Sequence, residues 1–184
     1  MRDLVITENI TLDGVIDATA GWFTVGDDES VDQSDILDEL HAHTERCDAV
    51  LFGRATFEDM RGYWPLQTND RTGITDSLNQ LRKYVVSRTM TDPQWANSVV
   101  LRNLDELRAL KEQPGKDIVS TGSIHLVHDL IAADLIDEFR LFVYPVVIGQ
   151  GARLFEEGAK VPPLKLVESK QFRSGVVLLR YRTR

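Results

Sequence analysis

Three short segments combine glycine, hydroxyl and guanidinium groups in a pattern that suits an anionic ligand. The apolar run "VLF" leads into Gly53-Arg54-Ala55-Thr56, "YVV" into Ser87-Arg88-Thr89, and "DIV" into Ser120-Thr121-Gly122-Ser123. The first and third segments open onto predicted helices, whose first N–H groups and partial positive charge favour a pyrophosphate. The second offers hydroxyls and a guanidinium, the donors that would recognise a 2′-phosphate. Together the segments predict a site for NADPH rather than NADH.

Each segment taken alone has an ordinary explanation. Glycine after a strand is common in turns, and an arginine at a strand end is usually solvated. The combination carries more weight, because ligands of open α/β sheets gather at the carboxyl ends of the strands. We therefore interpret the three segments as one cofactor site.

The elements that must position this site follow from the apolar pattern. "LVIT" predicts a first strand before the turn Leu12-Asp13-Gly14, residues 17–32 a loop, and residues 34–46 an amphipathic helix. Further strands are predicted at "AVLF", "KYVVS", "SVVLR" and "DIV", with a short helix over 76–80. Strands that alternate with helices predict a mostly parallel sheet.

Capping signals and turn residues complete the predicted fold. Thr56 and Asp59 match a capping box, and Asn103 with Glu106 predicts a capped helix that Gly115 ends. "FRLFVYPVVIG" predicts a long strand, and "LKLVESKQF" and "VVLLRYR" predict a terminal hairpin. The predicted fold class is α/β, a mostly parallel central sheet with an antiparallel C-terminal hairpin.

Composition bounds the kind of protein. A length of 184 residues predicts one domain over 1–184, and the net charge of −8 with a pI near 5.0 argues against nucleic acid or a membrane as the main partner. Cys47 is the only cysteine, so neither an intrachain disulfide nor a cysteine-based metal cage is expected. The four histidines are too scattered for a metal site. With no predicted membrane span or signal peptide, we expect a cytoplasmic protein.

Gly149-Gln150-Gly151 is not a dinucleotide-binding fingerprint. Leu154 stands where a third glycine would be needed, and the motif follows a late strand. No Gly-Lys-Ser or Gly-Lys-Thr P-loop is present in the sequence. The cofactor prediction therefore rests on the three strand ends.

Together these segments resemble the dihydrofolate-reductase-like superfamily, and within it the riboflavin-biosynthesis reductase branch named for the RibD C-terminal domain. "ITLDGVI" resembles that family's first strand and turn, "LFGRATFEDM" its segment for the cofactor phosphate, and "YVVSRT" its segment for the adenosine end of NADPH. "STGSIHLVHDLIAADLIDEFRLFVYPVVIGQGARLF" is the most specific match. The resemblance covers residues 2–182.

The resemblance implies a three-layer fold with helices on both faces of the sheet, usually in a homodimer. It also implies an NADPH-dependent reductase similar to 5-amino-6-(5-phosphoribosylamino)uracil reductase, with hydride transfer to a small heterocycle or sugar phosphate. The residues carried over as cofactor-binding are Gly53, Arg54, Thr56, Ser87, Arg88, Thr89, Gly122, Ser123 and Ile124, with Gly149 and Gly151 packing near the nicotinamide.

The proton source for reduction of a C=N bond has two candidates. Asp38 lies on the first helix, where dihydrofolate reductases place a buried carboxylate, and Asp13 lies in the turn near the expected nicotinamide. The alternatives are an acid on a solvated helix face and a residue that merely forms a turn. The sequence does not separate them.

Aromatic residues could line the pocket for a flat substrate, although such residues more often belong to the core. The predicted substrate wall consists of Trp22, Phe57 and Trp64, with Phe23 and Tyr63 beside them. Arg61, Arg71 and Arg153 are candidates for a substrate phosphate.

Two alternative functions stay open at this point. A dihydrofolate reductase would need a buried carboxylate on the first helix and an arginine for the glutamate tail. A nicotinamide-nucleotide-binding module without catalysis would bind NADPH and turn nothing over.

Overall fold

A computed structural model of the chain describes residues 1–23, 32–70 and 72–183, which form one eight-stranded sheet flanked by helices. The strands are β1 (Leu4–Thr11), β2 (Cys47–Gly53), β3 (Arg82–Val86), β4 (Ser98–Leu101), β5 (Asp117–Ser120), β6 (Glu138–Tyr144), β7 (Lys165–Gln171) and β8 (Val177–Arg182). The helices are α1 (Ser34–Glu45), α2 (Arg54–Tyr63), α3 (Ile74–Gln80), α4 (Leu104–Lys111) and α5 (Ile124–Ala132).

The strand order is β4-β3-β2-β5-β1-β6-β8-β7. The first six strands in this order each pair in parallel with their neighbours, from β4 at the edge to β6. In contrast, β8 is antiparallel to β6, and β7 is antiparallel to β8. The predicted fold class, a mostly parallel sheet with an antiparallel C-terminal hairpin, is confirmed. Because β3, β2, β5 and β1 are neighbours and parallel, their carboxyl ends lie along the same edge of the sheet.

The core divides between the two faces of the sheet. Residues paired in parallel register point to the same face, so Ile6 and Ser120 share one face, and Val5 and Val119 share the other. The first face packs against α4 and α5, in the cluster that contains Ile6, Leu107 and Leu130.

The second face carries two separate apolar clusters. One includes Val50, Phe52 and Leu78 and lies under α2 and α3. The other includes Ile36 and Phe142 and lies under α1. Helices therefore cover both faces, as expected, but the apolar layer on the second face is interrupted over the central strands.

Several local predictions need adjustment. Helix α2 begins at Arg54, directly after Gly53, so Thr56 forms no capping box with Asp59, and its hydroxyl instead donates to the Gly122 carbonyl. The cap at Asn103 is confirmed by hydrogen bonds to its Oδ1 from the N–H groups of residues 105 and 106, but α4 ends at Lys111, before Gly115. The loop expected over 17–32 contains a 3-10 turn at Ala18–Ala20, and residues 24–31 of it lie outside the described part.

Candidate cofactor and substrate site

The strand ends of β2 and β5 are tied together by two hydrogen bonds. The Ser123 hydroxyl oxygen accepts from the backbone N–H of Gly53 at 3.0 Å, and the Thr56 hydroxyl donates to the carbonyl oxygen of Gly122 at 3.1 Å. Gly122 has φ of 65°, a left-handed conformation that favours glycine. The first turns of α2 and α5 therefore lie side by side.

No side chain of the described residues caps either of these helix ends. The N-cap residues Gly53 and Ser123 make no side-chain hydrogen bond to the first turn of their helices. Side chains therefore leave the first N–H groups of both helices available to an anion. Ile124 packs against the core, so it would contribute its backbone N–H rather than its side chain.

The strand end of β3 joins this edge through Arg54. Its guanidinium donates to the Thr89 hydroxyl at 2.9 Å and pairs with Glu58 at 3.0 Å, and it is 53% exposed, which leaves it accessible to a ligand. Arg88 is exposed beside Thr89. The Arg54 guanidinium and the Thr89 hydroxyl are thus brought together at the start of α2, and the exposed Arg88 directly precedes Thr89 in the chain.

Ser87 has a different place from the one its neighbours occupy. It is buried, and its hydroxyl oxygen accepts hydrogen bonds from the backbone N–H groups of Thr89 and Met90 at 3.3 and 3.0 Å. The side chain therefore shapes the turn that presents Arg88 and Thr89, and does not lie at the surface of the site.

The Gly149–Gly151 segment is bound to the turn after β1. The Asp13 carboxylate accepts from the N–H of Gly149 at 2.8 Å and from the Thr11 hydroxyl at 2.6 Å. A Cβ on Gly151 would lie 2.9 Å from the Val15 methyl Cγ1, so this position requires glycine. The segment therefore packs on the turn that follows β1 at the carboxyl edge.

These contacts are at odds with Asp13 as a proton donor. The Thr11 hydroxyl, followed by the Gly149 N–H, lowers the pKa of Asp13 to about 2, so the group is ionised at neutral pH. Asp38 fits the role no better, because it is exposed on α1. Of its neighbours, Asp35 accepts from the Arg173 N–H and Glu39 is paired with Lys170.

Glu8 is an acidic residue of the site region that the sequence analysis missed. It is only 4% exposed, and its Oε1 accepts from the N–H of Gly122 at 2.9 Å. Burial raises the pKa of Glu8 to about 8, against the lowering effect of that hydrogen bond. A signal was present, because Glu8 alternates with Leu4 and Ile6 on the apolar side of β1.

The interruption in the second-face core exposes a polar floor on β1. Thr7 and Asn9 lie on that face, since their register partners on β6 are Arg140 and Phe142. Both are half-buried, and neither side chain has a hydrogen-bond partner among the residues that the structure describes. Half-buried polar groups without partners on a central strand are typical of a ligand cleft.

Aromatic rings border this floor at the carboxyl end of β6. Trp22, Phe23 and Tyr144 contact one another edge to face, with centroids 5.5 to 6.1 Å apart. Tyr144, which the sequence analysis did not select, is the register partner of Thr11 and shares the face of Asn9. The structure thus groups Trp22 and Phe23 around Tyr144, beside the polar positions of β1, as one wall of a candidate cleft.

The other predicted wall residues lie elsewhere. Phe57 is fully buried between Phe52 and Trp95, so it belongs to the core and offers no surface to a substrate. Trp64 is half-buried against the same cluster and donates to the Met60 sulfur.

The arginines proposed for a substrate phosphate are largely engaged in the fold. The guanidinium of Arg61 donates to the Pro93 carbonyl at 2.9 Å, and that of Arg153 donates to the Asp13 carbonyl at 3.0 Å. Arg71 lies outside the described residues. Within those residues, no group of acidic, histidine or cysteine side chains could hold a metal ion, and no helix is long and apolar enough to span a membrane.

The sheet order and the joined strand ends define a protein of the dihydrofolate-reductase-like fold. A dihydrofolate reductase from Enterococcus faecalis, complexed with NADP(H), superimposes with a TM-score of 0.65 at 16% identity, covering 98% of this chain and 95% of that one. A protein from Shewanella sp. PV-4, provisionally assigned to riboflavin biosynthesis, gives 0.69 at 22% identity over 98% of both chains.

The chain belongs to the RibD C-terminal domain family, whose model matches residues 2–178. The protein YyaP of Bacillus subtilis (strain 168) is 32% identical to it over 188 residues, which span 98% of this chain and 94% of YyaP. Family and fold together support a reductase-type protein.

Proposed function

We propose that the protein is an NADPH-dependent reductase that resembles 5-amino-6-(5-phosphoribosylamino)uracil reductase and acts on a small heterocycle or its sugar phosphate. The observation that carries this proposal is the pair of uncapped helix ends, α2 and α5, locked side by side by the Gly53–Ser123 and Thr56–Gly122 hydrogen bonds. A related fold holds NADP(H) in the Enterococcus faecalis enzyme.

The residues at the carboxyl edge fit a phosphorylated dinucleotide. The first N–H groups of α2 and α5 would bind the pyrophosphate, and Arg54, Arg88 and Thr89 would bind the 2′-phosphate. NADPH, when bound, supplies the hydride. The role of the chain is to fix the position of these donors, which the hydrogen bonds between strand ends accomplish before any ligand arrives.

The cleft over β1 suits a neutral planar substrate. The Asn9 amide presents one acceptor and two donor hydrogens, which match the alternating C=O and N–H groups of a pyrimidinedione edge. The rings of Trp22, Phe23 and Tyr144 would cover its flat surface. Dihydrofolate reduction is less well supported, because Asp38 is exposed and Glu39 is paired with Lys170.

The first experiment is a titration with NADPH, NADP⁺ and NADH, followed by fluorescence transfer and thermal shift. We expect NADPH to bind at least about tenfold more tightly than NADH, a difference of about 1.4 kcal/mol. Arg54→Ala should remove most of that preference. Arg108→Ala, on the exposed side of α4, is the matched control and should retain it. A wild-type protein that binds no nicotinamide nucleotide would contradict the proposal.

Turnover separates the reductase from a binding module. We expect NADPH oxidation in the presence of an aminopyrimidinedione or its ribose phosphate, measured by the loss of NADPH absorbance. Asn9→Leu should abolish turnover with little change in NADPH affinity, because Asn9 lies on the substrate side of the site. Tight NADPH binding without turnover of pyrimidines or pterins would favour the non-catalytic module.

A further inference from the structure

Glu8 occupies the point where the hydrogen-bond ladder between β1 and β5 stops. The last register pair of that ladder is Ile6 with Ser120, and β5 ends there. Beyond it, the Glu8 side chain supplies the acceptor for the backbone N–H of Gly122 at 2.9 Å. The Glu8 carboxyl group thus takes the place of a backbone carbonyl as the hydrogen-bond acceptor in the turn that leads into α5.

Gly122 connects this contact to the rest of the candidate cofactor site. Its carbonyl accepts from Thr56 on α2, and the next residue, Ser123, accepts from the N–H of Gly53. Glu8 therefore contacts the same turn that fixes both helix ends.

No cation in the described part of the chain is paired with Glu8, and burial keeps its proton on at neutral pH by raising its pKa to about 8. The charged groups of the surrounding elements are directed elsewhere. Glu138 and Arg140 of β6 register with Val5 and Thr7 on the opposite face of the sheet. The other titratable groups of these elements are exposed or bonded to other residues. His125 and Asp129 are exposed on α5, and His128 is bonded to the Arg153 carbonyl. Asp117 is paired with Arg140, and Asp13 is bonded to the Gly149 N–H.

We propose that Glu8 is a positioning residue for the cofactor, which holds the Gly122 turn in its binding shape and allows tight binding only while its carboxyl group is neutral. An ionised Glu8 would place a negative charge behind the helix end that receives the pyrophosphate. Like charges so close, with little water between them, oppose each other strongly. This inference rests on the proposed binding of NADPH, and it predicts that cofactor binding above the pKa of Glu8 takes up one proton.

The test is the NADPH dissociation constant from about pH 6 to about pH 9.5 for the wild type, Glu8→Gln and Glu8→Ala. Wild-type affinity should fall above about pH 8, by up to about tenfold per pH unit for one coupled proton. Glu8→Gln keeps an oxygen for Gly122 and cannot ionise, so its affinity should be tight and nearly independent of pH in this range. Glu8→Ala provides no acceptor for the Gly122 N–H, so it should bind NADPH more weakly than Glu8→Gln at every pH.

Burial lowers the pKa of Lys83 to about 8, so this group titrates in the same pH range. Its effect on NADPH binding is present in both the wild type and Glu8→Gln and therefore cancels in the comparison. Identical pH profiles in the wild type and Glu8→Gln would overturn this inference and leave the proposed function intact. A wild type that binds no NADPH at any pH would remove both.

A second measurement needs no ligand. The amide resonance of Gly122 should shift with pH in the wild type, with a midpoint near pH 8, and should stay constant in Glu8→Gln. A Gly122 amide that shifts equally in both proteins would also overturn the inference, because its titration would then belong to another group.

Discussion

Two acidic residues near the start of the chain have pKa values displaced in opposite directions by their surroundings. Asp13 receives hydrogen bonds from the Thr11 hydroxyl and the Gly149 N–H, which lower its pKa to about 2. Glu8 is buried, and its pKa rises to about 8. The first is therefore a fixed charge that binds the Gly149 segment, and the second is a group that changes charge near neutral pH.

At the residue scale, the two glycines of the Gly149–Gly151 segment should differ in their tolerance of a methyl group. Both have positive φ, 78° and 107°, so alanine at either position should cost about 1 kcal/mol of stability. At Gly151 the added Cβ would also lie 2.9 Å from Val15, whereas at Gly149 no atom lies within 4 Å. We expect Gly151→Ala to lose a further 1–3 kcal/mol, roughly the cost of overpacking.

Urea unfolding of the two variants at an unchanged m value measures this difference. Gly149→Ala serves as the matched control for the backbone strain alone. Equal losses in the two variants would mean that Val15 moves aside without cost.

At the element scale, one of the two hydrogen bonds that join the first turns of α2 and α5 is made by a buried hydroxyl, that of Ser123. Ser123 is 3% exposed, and its hydroxyl oxygen accepts a hydrogen bond from the Gly53 N–H. No other side chain among the described residues accepts from this N–H. Ser123→Ala should therefore destabilise the protein by about 1–3 kcal/mol, the cost of an unsatisfied buried donor. It should also weaken NADPH binding, since the two helix ends would separate.

Thermal unfolding and NADPH titration of Ser123→Ala test this together. Ser77→Ala on α3 is the control, because that hydroxyl makes no hydrogen bond to another described residue. Unchanged stability and affinity in Ser123→Ala would show that packing and the Thr56–Gly122 hydrogen bond are enough to hold the helix ends together.

Local signals in the sequence predicted the elements well where one residue type determines the geometry. Asn103 caps α4 as expected, because an N-cap acts on the N–H groups two and three residues away. Thr56 is not a cap because α2 already begins at Arg54, and its hydroxyl bonds instead to Gly122, 66 residues away. The places of Phe57 in the core and of Glu8 beneath a turn likewise depend on which strands and helices meet, and spacing alone does not reveal that.

At the scale of the whole molecule, the strand order explains why three distant segments form one edge. Strands β3, β2 and β5 are consecutive in the sheet, so residues 53, 87 and 122 lie at or just beyond the ends of neighbouring parallel strands. The convergence of the three strand ends could be predicted from the sequence, because ligands of open α/β sheets gather at the carboxyl ends of the strands. The interruption of the apolar layer between the α1 and α2 clusters could not be predicted, because it depends on the packing of whole helices.

The homodimer implied by the resemblance stays a prediction at this scale. The edge strand β7 carries two apolar side chains, Leu166 and Val167, that are 49% and 43% exposed. Natural edge strands usually avoid such exposure unless a partner covers it. Size-exclusion chromatography with light scattering should give twice the chain mass of 20.8 kDa. A species of single chain mass at micromolar concentration would contradict the prediction.

The position of β8 between β6 and β7 has a consequence for the order in which the sheet can assemble during synthesis. Among the described strands, β7 pairs with β8 alone, and β8 follows it in the chain, so none of those strands can pair with β7 when it leaves the ribosome. The outer edge of β6 likewise has no partner until β8 has been synthesised. A nascent chain that stalls before β8 would expose the outer edge of β6 and an unpaired β7, the kind of surface that recruits chaperones or aggregates.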